Sequence, residues 1–106
     1  MNVARTIETS KSSQLENKRM GIKEKFRDPQ FILNEIAEYV KDGDIAASTD
    51  LISAYISNSF KYKNQSDFAE KIGTTRQTLH RMFAHDNVNL NVFFRAIERI
   101  HADINE

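Results

Sequence analysis

Two apolar stripes on either side of one glycine constrain this chain more than anything else in it. Before Gly73, Phe68, Ala69 and Ile72 stand at i, i+1 and i+4; after it, Leu79, Met82 and Phe83 stand at i, i+3 and i+4. Each spacing places its residues on one side of a helix. Gly73 followed by Thr74 and Thr75 reads as a sharp helix exit, because glycine takes a positive φ without a Cβ clash. The stretch 64–83 is therefore expected to form two short helices joined by a tight turn. Ala69 is small where two helices crossing steeply need close approach, and Leu79 is placed to fill the gap between them.

The outer side of the second helix carries the chemistry. Arg76, Gln77, His80 and Arg81 fall at i, i+1, i+4 and i+5, opposite Leu79, Met82 and Phe83. Arginine and glutamine present paired donors and acceptors that match guanine and adenine edges. No acidic residue occurs from Gly73 to His85, whereas a purely structural surface helix usually mixes both signs. Together these features predict a helix-turn-helix over 64–83, with Thr75 to Phe83 as the helix that enters a major groove. Arg76, Gln77 and Arg81 are the candidates for base edges. Lys63, Gln65 and Thr74 are candidates for phosphate, Thr75 for a thymine methyl group or a phosphate, and His80 for a phosphate.

The rest of the chain supplies helices around that pair. Asp28 and Pro29 form a cap and a first-turn proline, and Ile32, Ile36, Ala37 and Val40 make the expected inward stripe of the first helix. Gly43 ends it. Asp44 caps a second helix in which Leu51, Ile52, Tyr55, Ile56 and Phe60 recur with helical period. Asn64 caps the third, with Asp67 in its first turn. Asn89 caps the last, where Val88 and Phe93 suit a hydrophobic staple. Phe93, Phe94, Ile97, Ile100 and Ile104 form a broad apolar face there, read either as all core or as core plus a dimer surface. The expectation is an all-α, five-helix domain over 28–106 behind a flexible basic arm, 1–27. The arm is polar, and its cluster Lys18, Arg19, Lys23, Lys25 and Arg27 suits a DNA-contacting arm, a segment folding on a protein partner, or a solvated tail.

Net charge is zero over 106 residues, which at first sight argues against nucleic acid; its distribution matters more. Residues 61–83 hold five basic and two acidic side chains, and residues 28–60 hold one and six. Such a two-faced chain suits phosphates on one side and a basic partner on the other.

Counted from Gln65, Ala69 is fifth, Gly73 ninth and Leu79 fifteenth, a pattern that resembles the Cro/repressor-type (XRE-type) helix-turn-helix. The run DPQFILNEIAEYVKDGD, then SDFAEKIGTTRQTLHRMF and NLNVFFRAIERI, resembles the HigA-like addiction-module antidote proteins over roughly Phe26 to Ile104. The chain departs from that family at His85-Asp86-Asn87-Val88, where a Gly-Asn-Pro turn is frequent, and in its N-terminal extension. The resemblance implies a Cro/repressor-like fold, a homodimer on a palindromic double-stranded operator, and the antitoxin role in a type II toxin–antitoxin pair. The toxin implied is a small basic ribonuclease of the HigB/RelE type. Glu35, Glu38 and Asp42 on the acidic first helix suit such a partner by charge. A free-standing phage-type or chromosomal repressor without a toxin is the alternative.

Other classes find less support. There is no cysteine, so disulfides and thiolate metal sites are excluded. His80 and His85 are five apart, which splays them by about 140° on a continuous helix. No HExxH and no glycine-rich phosphate loop occurs, so no catalysis, metal or cofactor is expected. No apolar run approaches the ~20 residues of a membrane span, and the N-terminus lacks a signal-peptide core, so a cytoplasmic location is expected.

Overall fold

The computed structural model describes residues 23–105, which are all-helical with no strand among them. Five helices follow one another: α1 (Pro29–Lys41), α2 (Ile45–Asn58), α3 (Gln65–Lys71), α4 (Arg76–Phe83) and α5 (Leu90–Ile104). Residues 23–27 are also helical and lead into α1. The expected arm, 1–27, falls mostly outside the described residues. Its last part is folded: Phe26 packs against the core and Arg27 Nε donates to the Asn58 carbonyl at 3.0 Å.

Side-chain caps set the starts of α1 to α5. Asp28, Asp44, Asn64, Thr75 and Asn89 each accept a backbone N–H two or three residues ahead, at 2.9–3.3 Å. Each cap satisfies an otherwise orphaned donor and contributes about 1 kcal/mol. The helix ends are equally regular. After α3 the Thr74 N–H bonds the Ala69 carbonyl and the Gly73 N–H bonds the Glu70 carbonyl, with Gly73 at φ 77°. Helix α1 ends the same way at Gly43, and α4 at His85. His85 therefore takes, at φ 62°, a left-handed position that glycine usually fills.

Helix α1 packs on α2 and α5, while α3 and α4 pack on each other and on α2. The core draws Ile32 and Ile36 from α1, Ile52, Tyr55 and Ile56 from α2, Phe68 and Ala69 from α3, Leu79 and Met82 from α4, and Val92, Phe93, Ala96 and Ile100 from α5. Helices α3 and α4 are seven and eight residues long, too short to persist in water by themselves. Their packing holds them, so Leu79→Ala at a fully buried site would cost ~2–5 kcal/mol.

Two sequence expectations are corrected. Ala37 and Val40 are exposed rather than inward; the buried face of α1 turns toward Ile32 and Ile36, with Phe31 and Leu33 at its edges. Phe60 does not continue the stripe of α2. The helix stops at Asn58 and Phe60 stands 85% exposed. Tyr62, from the linker, is buried instead, and at the start of α2 Ser48 and Thr49 are buried too. Both hydroxyls donate to carbonyls of the preceding turn, Asp44 and Ala46, so their burial leaves no donor unsatisfied. Of the α5 face, for which two readings stood open, Phe93 and Ile100 are buried and Phe94 is 57% exposed, so the face is not all core; Leu90, at the helix start, is also exposed.

A candidate nucleic-acid interface

The α2–α3 linker and the first turns of α3 and α4 form one groove of about 650 Å³. Ile56 and Tyr62 contribute to its lining along with Lys63, Gln65, Arg76 and His80. Arg76 and His80 meet there because they are one turn apart on α4. Lys63 is held by its own backbone: its N–H donates to Asp67 Oδ2 at 3.0 Å, while Asn64 takes the Asp67 N–H. The Lys71 ammonium, 2.8 Å from Asp67 Oδ1, and the Lys63 N–H hold the Asp67 carboxyl below its ordinary range. Among the described residues, no carboxylate lines the groove.

Of the eight residues read as DNA-binding, the groove collects Lys63, Gln65, Arg76 and His80. Gln77 and Arg81 lie outside its lining but exposed on α4 beside it, one turn apart. Among the described residues, none of the Arg76, Gln77, His80 and Arg81 side chains has a hydrogen-bond or ion-pair partner. Thr75 is also exposed, but its hydroxyl accepts the Thr78 N–H at 3.1 Å and lies 3.0 Å from the Thr78 hydroxyl. Its methyl group is therefore the part left for a ligand. Thr74 is half-buried, and its N–H is used in the turn after α3.

Tyr62 connects the groove to a buried network that the sequence reading missed. Its hydroxyl and that of Tyr55 both donate to Asp103 Oδ2 at 2.6 Å, and Arg99 Nε donates to the Tyr62 oxygen at 2.7 Å. The Asp103 side chain is fully buried, with Oδ1 3.6 Å from Arg99 Nε and without a hydrogen bond. Burial first, then the hydrogen bond to Asp103, pushes both tyrosine pKa values well above their ordinary value. The linker that carries Lys63 and Asn64 is thus anchored to the far end of α5.

Glu35, Glu38 and Asp42 stand at i, i+3 and i+7 on one face of α1, and Glu38 pairs with Lys41 at 3.5 Å. They are on a different helix from the groove. His85, five residues beyond His80, lies 2.9 Å from Asp50 of α2. Among the described residues no group of three or more His, Cys, Asp or Glu could hold a metal ion, and no helix is long and apolar enough to cross a membrane.

No family model, curated protein or solved structure matches this chain.

Proposed function

We infer that the chain is a cytoplasmic, sequence-specific DNA-binding regulator whose α3–α4 pair acts as a Cro/repressor-type helix-turn-helix. The observation that carries this reading is the outer face of α4. Four polar side chains, two of them arginines, project there without a partner among the described residues, beside a groove lined by Lys63 and, among those residues, by no carboxylate. Helix α4 enters the major groove. Gln77 and Arg81 meet base edges, and Arg76, in the first turn, has both a base edge and the groove within reach. Lys63, Gln65 and His80 hold the phosphates of one strand.

Two half-sites require two copies. On α5, Leu90, Phe94, Ile97, His101 and Ile104 are spaced 4-3-4-3, the repeat of a two-helix seam. None is fully buried. A second copy of α5 covers this stripe and sets the α4 helices about one turn of DNA, ~34 Å, apart.

We place this regulator in a type II toxin–antitoxin pair, where the acidic face of α1 takes a basic toxin of the HigB/RelE type. That face lies on a helix that packs against α2 and α5 rather than α4, which leaves it accessible while α4 is on DNA. The test is growth with the adjacent reading frame induced alone and together with this chain. Arrest by the neighbour and rescue by this chain support the antitoxin role; charge reversal at Glu35, Glu38 and Asp42 then weakens the complex. A harmless neighbour removes that role and leaves a free-standing repressor.

A further inference from the structure

Phe60 is 85% exposed, more than any other large apolar side chain described. Its position is built rather than incidental. Ser59 is buried, and its hydroxyl accepts the Lys61 N–H at 3.0 Å. That turn sends Tyr62 inward to Asp103 and leaves Phe60 outward. One face of the ring is covered by Arg27, whose guanidinium carbon lies 4.2 Å from the ring centroid. The guanidinium is itself fixed, because Nε donates to the last carbonyl of α2, at Asn58. Among the described residues the one carboxylate paired with it is that of Glu24, one turn earlier and largely exposed, at 3.9 Å. Phe60 is bracketed in sequence by Ser59, Tyr62 and Lys63, all of which line the groove beneath α4.

An aromatic ring with a cation stacked on it, in a segment whose neighbouring residues line a cationic groove, suits a nucleic-acid strand. The ring takes the apolar face of a sugar or base while the neighbouring cations take the phosphates. A protein-binding patch would instead place the ring within other apolar side chains; here the ring is stacked on Arg27 and is flanked in sequence by Lys61 and Lys63.

We propose that Phe60, stacked on Arg27, packs against a deoxyribose of the DNA backbone at the border of the site, extending the interface beyond α4 to the end of α2. This rests on the DNA-binding reading above and adds contacts that α4 cannot make. The contact is sequence-independent, since every nucleotide presents the same sugar.

The chain contains no tryptophan, so Phe60→Trp introduces a single reporter at an exposed position. The probes are a short duplex enriched from a random library on the wild-type chain, and a mixed-sequence duplex at low salt. On either duplex the tryptophan emission changes and acrylamide quenches it less. Phe60→Ala weakens both complexes by a similar factor, roughly tenfold, near the lower end of the cost of removing one stacking ring. The hydroxyl-radical footprint loses protection at its border and keeps it at the centre. Unchanged tryptophan emission with duplex bound, or wild-type affinity and footprint for Phe60→Ala, overturns the inference. If Arg81→Ala loses binding while Phe60→Ala does not, the DNA reading stands and this contact falls. If no duplex binds the wild-type chain, both fall. Circular dichroism checks that the Phe60 variants keep the fold.

Discussion

Asp103→Ala tests the anchoring of the linker most sharply. The carboxylate accepts two tyrosine hydroxyls at 2.6 Å from a fully buried position. A hydrogen bond to a charged group is worth ~1.5–3 kcal/mol, so the two together supply ~3–6 kcal/mol. Against this stands the cost of burying the charge, offset only in part by Arg99 at 3.6 Å. Removing the carboxylate relieves that cost but orphans the Tyr55 and Tyr62 protons. The expected net loss is ~3 kcal/mol, a large share of the ~5–15 kcal/mol that stabilises a small domain. Asp103→Asn keeps an acceptor oxygen and the shape, so it loses less, about 1–2 kcal/mol. Urea unfolding followed by circular dichroism reads both. Because Tyr62 holds the linker of Lys63 and Asn64, DNA affinity of Asp103→Ala should also fall under conditions where the variant is folded. An Asp103→Ala variant within about 1 kcal/mol of wild type would refute the reasoning, by showing that desolvation cancels both hydrogen bonds.

The remaining predictions follow from single contacts. Tyr55 and Tyr62 have pKa values raised in the folded state above the ordinary 10.0, so their stabilisation is complete below pH ~10 and drains as pH rises beyond it. Alkaline titration of stability should show that limb, and Tyr55→Phe should flatten it. His85→Gly relieves a left-handed backbone worth ~1 kcal/mol and gives up an exposed pair to Asp50 worth less. Its melting temperature should rise or stay level, and a clear drop would mean that the Asp50 contact fixes the loop. Phe94→Glu should convert a dimer to a monomer in sedimentation without loss of helix, because the ring is 57% exposed in one copy.

The local signals of this fold were legible because their causes are local. Asp28, Asp44, Asn64, Thr75 and Asn89 each cap a helix within three residues. Gly73 marks its turn by its own φ, and Ala69 and Leu79 are buried where the spacing placed them. Periodicity misled at two edges. It cannot fix the centre of an apolar arc, so Ala37 and Val40 were drawn inward. It also ran two residues past the end of α2, where no glycine or proline marks the stop, and so took in Phe60. His85 in a left-handed position departs from residue preference, and only the backbone reveals it. The Asp103 network joins residues 41 and 48 positions apart. An acid in an apolar stripe and a tyrosine between lysines both read as surface until the tertiary fold brings them together. Within the candidate site, the α4 residues were legible as a face. The meeting of Arg76 and His80 with Lys63 depends on how α3 and α4 cross, which spacing alone leaves undetermined.

The central claim is that the outer face of α4 reads DNA. The most direct measurement is the affinity of wild type and Arg81→Ala for a duplex selected on the wild-type chain, across salt concentrations and single base-pair changes. Steep salt dependence is expected for wild type. Arg81→Ala should lose about 10- to 100-fold on the selected duplex and relax preference at one base pair, while its binding to mixed sequence changes far less. Equal affinity of the two proteins for the selected duplex at every salt concentration, or no preference of wild type for any duplex, would contradict the account.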